Sequence, residues 1–178
     1  MCMNICFPNQ NEKEFLDVAK KISIPCLWFV YRNIKEIRKI KDEKIKIYFG
    51  VGNERVGSLE GGVDFFMCDL SKGVITKNEK IFYCVDVGYL DYLNQVKIKE
   101  ISDTNKRVVV PLNLVLKTNS SAKLIEKTIF LIRLFKKYNV AFIVSNFANS
   151  PYELKSEKEI SALCSFLGIK KKRPFFVP

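Results

Sequence analysis

The chain has 178 residues, 48% of them hydrophobic, and carries 30 Lys plus Arg against 19 Asp plus Glu, a formal net charge of +11. That length fits one domain with a sizeable core, and that hydrophobic share excludes general disorder. The charge favours a polyanionic partner, nucleic acid first and an anionic membrane surface second, while the absence of histidine removes the commonest metal ligand and the usual general base at neutral pH.

No apolar run approaches the ~20 residues of a membrane span. No basic region followed by an apolar segment opens the chain, so secretion is not expected. Cys6, Cys26, Cys68 and Cys84 sit in apolar, strand-like runs, Cys164 lies on a helical stripe, and no C-x-x-C pair occurs. Cys2 and Cys6 alone make a poor metal site. The cysteines are expected to be small core hydrophobes in a reducing compartment, the cytoplasm.

In chain order, Asn4 to Pro8 reads as a first strand, followed by a helix opened by Asn11 with Glu14 three residues on, as in a capping box. Pro25 to Tyr31 is a strand too apolar to have a solvated face. Asn33 and Glu36 are expected to open a second helix carrying Ile34, Ile37 and Ile40, and Lys44 to Gly50 is a third strand. Val63 to Leu70 and Lys80 to Val87 follow as strands, then a weaker helix from about Tyr89 to Ile101. Arg107 to Leu116 reads as a sixth strand that Pro111 should end or kink. The longest helix is expected from Ser121 to Tyr138, and the seventh strand from Val140 to Ser145. Ser156 and Glu159 box the last helix, which stops at Gly168.

Strands alternating with helices imply a parallel sheet, and near-continuous apolar strands imply cover on both faces. About seven strands suit an irregular or incomplete TIM-type barrel, with a doubly wound open sheet as the alternative. Residues 1–178 are expected to form one domain, with 170–178 as a basic and aromatic tail.

Ligands of such folds bind where strands end. The ends offer Asn9 and Gln10, Arg32 and Asn33, Asn53 to Arg55, Asp69, Asp86, Asn113 with Lys117, and Ser145 with Asn146. Asp69 and Asp86 could share a cation, but opening a turn is the commoner role, and no metal site is expected. The glycines of Gly50 to Gly57 do not match a nucleotide-binding fingerprint. Lys117 could act as the Schiff-base lysine of an aldolase-like barrel only if buried with a depressed pKa, and its surroundings are polar.

The stretch from Arg107 to Ile169 couples an apolar strand, a serine-containing loop, a long helix ending "FKKYNV", a strand leading into "VSNFANSPYELKS" and a helix closing on "LCSFLGI". This resembles the C-terminal half of archaeal ribonuclease P protein component 3, the family of the eukaryotic thirty-kilodalton subunit. The resemblance implies a TIM-like barrel related to the metal-dependent PHP phosphoesterases, without their metal ligands. It implies a non-catalytic subunit that binds ribonuclease P RNA, pairs with protein component 2, and meets precursor tRNA in the holoenzyme. The RNA, with its magnesium, would perform the cleavage, and the protein would hold no cofactor and touch no membrane. Two departures are visible: the chain ends soon after Gly168, where a further helix is expected, and its basic residues are mostly lysine. The expected RNA contacts are Lys106, Arg107, Lys117 and Lys155, together with the run Lys170, Lys171, Lys172 and Arg173, which Pro174, Phe175 and Phe176 follow. On the longest helix, Ile129 and Phe130 flank the polar face of Glu126, Arg133, Lys136 and Lys137; either a neighbouring helix or the C-terminal tail covers them, or they help anchor the partner subunit.

Overall fold

The structure, a computed structural model, describes residues 3–52, 63–72, 80–86, 93–104, 106–112, 116 and 122–169. Seven strands, β1 (Met3–Cys6), β2 (Cys26–Tyr31), β3 (Lys46–Gly52), β4 (Phe65–Asp69), β5 (Ile81–Cys84), β6 (Arg107–Pro111) and β7 (Phe142–Ala148), pair in parallel and in chain order. The sheet closes as a barrel, because β1 also pairs with β7, from Met3 opposite Ser145 to Cys6 opposite Ala148. An open sheet is thereby excluded, and strand pairing alone makes the closure.

Strand alternation sorts the apolar side chains into an inner and an outer set. Inside lie Met3, Ile5, Trp28, Val30, Tyr48, Phe65, Met67, Phe82, Val109 and Ile143. Trp28 stacks on Tyr48 at 4.4 Å between ring centres and meets Phe65 at 4.8 Å and Phe82 at 5.8 Å. Gly50 makes room for this cluster: a Cβ there would be driven into the Phe65 ring. The buried Trp28 indole N–H finds no hydrogen-bond partner of good geometry.

The outer set packs under the helices α1 (Glu12–Lys21), α2 (Gln95–Asp103), α3 (Ala122–Lys137) and α4 (Glu157–Phe166). Three of these turn into their following segment by one device. Ser23, Asn139 and Gly168 adopt left-handed φ values of 56°, 54° and 75°. In each case the next amide reaches back to a carbonyl of the last turn: Ile24 to Ala19, Val140 to Phe135, Ile169 to Cys164. This is the Schellman ending, which satisfies the helix's orphan carbonyls.

Several expectations need correction. Residues 33–40 form no α-helix: a single 3-10 turn, Ile34–Glu36, is followed by extended chain from Ile37. The isoleucines recur at steps of three without i+4 companions, a spacing that drifts around an α-helix but stays aligned in a 3-10 turn. Asn11 does cap α1 in position, but its side chain accepts from the Asn9 amide rather than from the helix. The box of Ser156 and Glu159 forms as expected. The seventh strand runs on through Ser145 and Asn146 to Ala148, so these two are mid-strand residues. The sixth ends at Pro111.

Candidate nucleic-acid interface

The polar residues of β7 belong to a buried seam. The Ser145 hydroxyl donates to the Met3 carbonyl at 3.0 Å. The Asn146 Nδ2 donates to Asn4 Oδ1 at 2.9 Å and to the Glu153 carbonyl at 2.9 Å. Asn4 in turn donates to the Lys155 carbonyl at 2.8 Å and accepts from the Lys155 amide at 3.1 Å. Buried polar groups persist only when partnered, and these are. The seam straps the loop before α4 onto the outside of the barrel, and so fixes where Lys155 stands: half-buried, its Nζ 3.9 Å from Glu159.

At the mouth, Asp69 accepts from the Ser71 amide at 2.8 Å and the Ser71 hydroxyl at 2.7 Å, opening a turn as such residues ordinarily do. Cys84 lies near it. Burial, with the Asp69 and Asp86 carboxylates, pushes that thiol up to about 12, so it stays protonated and is no nucleophile. Among the described residues no three His, Cys, Asp or Glu side chains gather as a metal ion would require. The aromatic interior does not favour the Schiff-base reading, and Lys117 lies outside the described residues.

The other side of the mouth opens into a cleft of about 1010 Å³ between the ends of β1, β2, β3 and β7. It is lined by Phe7, Asn9 and Gln10, by Tyr31 and Arg32, by Lys35, Glu36 and Arg38, and by Gly52 and Asn149. Beneath it Glu12, only 3% exposed, accepts from the Tyr31 hydroxyl at 3.3 Å. Burial and then the Glu12 carboxylate raise the tyrosine's pKa well above its usual value, which keeps the hydroxyl a donor.

The expected RNA contacts are dispersed. Lys106 is 9% exposed, with its Nζ 5.1 Å from the centre of the Tyr83 ring. The tight connection from α2 into β6 buries it, the Lys106 amide closing on the Ile101 carbonyl. Arg107 sits opposite Phe82 in register, hence on the interior side, at the end of the barrel away from the mouth. Lys117 and the run Lys170, Lys171, Lys172 and Arg173, like Pro174 to Phe176, Asn53 to Arg55 and Asn113, fall outside the described residues. The two expected anchors on α3 part company. Ile129 is half-buried against the outer core, whereas Phe130 is 55% exposed. Arg32, the anticipated mouth cation that falls within the described residues, stands with Lys35 and Arg38 in the lining of this cleft.

No family model matches the chain, and no curated protein sequence is similar to it. Solved structures share its fold, two of them as follows. One is a chain in the cryo-EM structure of archaeal ribonuclease P with mature tRNA, 15% identical, with a TM-score of 0.69 over 93% of this chain and 82% of that one. The other is histidinol phosphate phosphatase from Lactococcus lactis subsp. lactis Il1403, complexed with zinc, L-histidinol and phosphate, 11% identical, with a TM-score of 0.56 over 96% of this chain and 95% of that one. The chain therefore folds as a TIM-like closed barrel of seven parallel strands, the fold of a chain in archaeal ribonuclease P and of the histidinol phosphate phosphatase.

Proposed function

We propose that the protein is a non-catalytic, RNA-binding subunit of ribonuclease P that supports RNA-catalysed 5′ maturation of precursor tRNA. The observation that carries this reading is the likeness to a chain of archaeal ribonuclease P over 93% of the present chain. A net charge of +11 and an interior filled with aromatic rings rather than acid–base groups support it. In this reading the RNA and its magnesium cut the phosphodiester, and the protein lowers repulsion between packed RNA helices. Its partners would be ribonuclease P RNA, protein component 2 and precursor tRNA, in the cytoplasm. No helix among the described residues is long and apolar enough to cross a membrane.

Purification from the native cell followed by sequencing of bound RNA tests the reading. Enrichment of ribonuclease P RNA is expected, and its absence would remove the proposal. In vitro, four to six phosphate contacts correspond to a slope of about −3 to −5 in log affinity against log salt. Removing Lys170 to Arg173 should flatten that slope. An unchanged slope would take the terminal run out of the interface, leaving Lys106, Arg107, Lys117 and Lys155 of the original set.

For the protein partner, the exposures of Ile129 and Phe130 give opposite expectations. Ile129→Ser should lower stability by about 1–3 kcal/mol, as loss of a packed side chain does. Phe130→Ser should leave stability within about 0.5 kcal/mol and weaken pairing with component 2 at least tenfold, as loss of an interface anchor does. Full-strength pairing by folded Phe130→Ser protein, measured by calorimetry, would remove Phe130 from the interface.

A further inference from the structure

We propose that the cleft between the ends of β1, β2, β3 and β7 is a groove for RNA backbone, with Arg32, Lys35 and Arg38 neutralising its phosphates. The inference rests on the ribonuclease P reading and adds a surface to it. Its volume of about 1010 Å³ lies at the upper end of what a small ligand occupies and suits a run of polymer. Lys35 lies within the 3-10 turn Ile34–Glu36, Arg32 and Arg38 flank it, and all three are exposed and line the cleft.

Two carboxylates share the cleft and leave the three cations in excess by one, and both face donors of the protein. Glu36 accepts from Asn33 Nδ2 at 2.5 Å and from the Arg32 amide at 3.3 Å. Glu12 is buried beneath the Tyr31 hydroxyl. The cationic segment is also fastened to the barrel rim. Asn33 caps the turn through the Glu36 amide, and the Tyr31 hydroxyl at the start of the segment donates to Glu12. Cations held this way lose less freedom on binding than lysines on a free loop.

The test uses the full chain and a ribonuclease P RNA transcript, with affinity measured across a salt series. Arg32→Gln/Lys35→Gln/Arg38→Gln should make the slope of log affinity against log salt less negative by about 2 to 3, with an unchanged melting temperature. Arg32→Lys/Arg38→Lys, which keeps the charge, should hold the wild-type slope. Lys21→Gln/Lys99→Gln/Lys158→Gln, three exposed lysines on helices α1, α2 and α4, should leave it unaltered. A wild-type slope from the cleft triple, or an equal change from the helix triple, would overturn the groove while leaving the ribonuclease P reading in place. Saturable binding of a mononucleotide in the cleft at micromolar concentration would overturn it in favour of a small-ligand site. Failure of the wild-type protein to bind the transcript at any salt would remove both proposals.

Discussion

Replacing Trp28 with alanine is expected to cost about 3–5 kcal/mol, a large share of the roughly 5–15 kcal/mol that holds a domain of this size together. The side chain is 1% exposed and touches three other rings inside a closed barrel. Each strand around it is hydrogen-bonded on both sides, so the wall cannot move in to fill the void. Trp28→Phe should cost well under half as much. It keeps a ring in the stack and removes an indole N–H that has no good partner to lose. Because Trp28 is the sole tryptophan, unfolding must be followed by circular dichroism in urea rather than by intrinsic fluorescence. A Trp28→Ala protein within about 1 kcal/mol of wild type would show that the interior can collapse, contrary to a packed core.

The second large effect is expected at the seam. Asn4→Ala removes three hydrogen bonds at once: to the Lys155 carbonyl, from the Lys155 amide and from Asn146. It leaves buried or half-buried polar groups unpaired, for an expected loss of about 2–4 kcal/mol. Asn146→Ala should cost somewhat less, since Asn4 retains both bonds to Lys155. The two residues share a bond, so the double variant should be less unstable than the sum of the singles by about 1 kcal/mol, measured as a double-mutant cycle. Strict additivity with each single cost below about 0.5 kcal/mol would mean that water replaces the network without loss. Weakening this seam also frees the facing edges of β1 and β7, so both single variants should aggregate more readily than surface variants.

What could be read from the sequence follows the strength of the local signal. The strands were legible because a parallel barrel buries both faces and leaves long apolar runs such as Cys26–Tyr31. Both ends of α4 were legible, because Ser156 with Glu159 boxes its start and Gly168 turns the chain after its last turn. Polar residues misled where tertiary partners decide. Ser145 and Asn146 look like the end of a strand until Met3 and Asn4 are beside them, 142 positions away in sequence. Lys106 looked like a surface cation, yet its burial follows from the tightness of the α2 to β6 connection. The cleft was hidden for a related reason. Placed on an α-helix, Arg32, Lys35 and Arg38 step around the axis; only the 3-10 turn and the extended chain after it bring them to one groove.

The pairing of the first strand with the last also sets a clock on synthesis. β1 is complete at Cys6, but its partner edge does not exist until the ribosome has added Ala148. At roughly 5–20 residues per second the first strand waits about 7–30 s for its second neighbour. During that interval the growing sheet has two open edges, and the residues later enclosed around Trp28 line a trough rather than a barrel. Ring closure over so long a chain separation is a slow, entropically costly step, and cannot begin folding. The helices that end in compact turns, α1 above all, are placed to hold early strand pairs together until the final strand arrives.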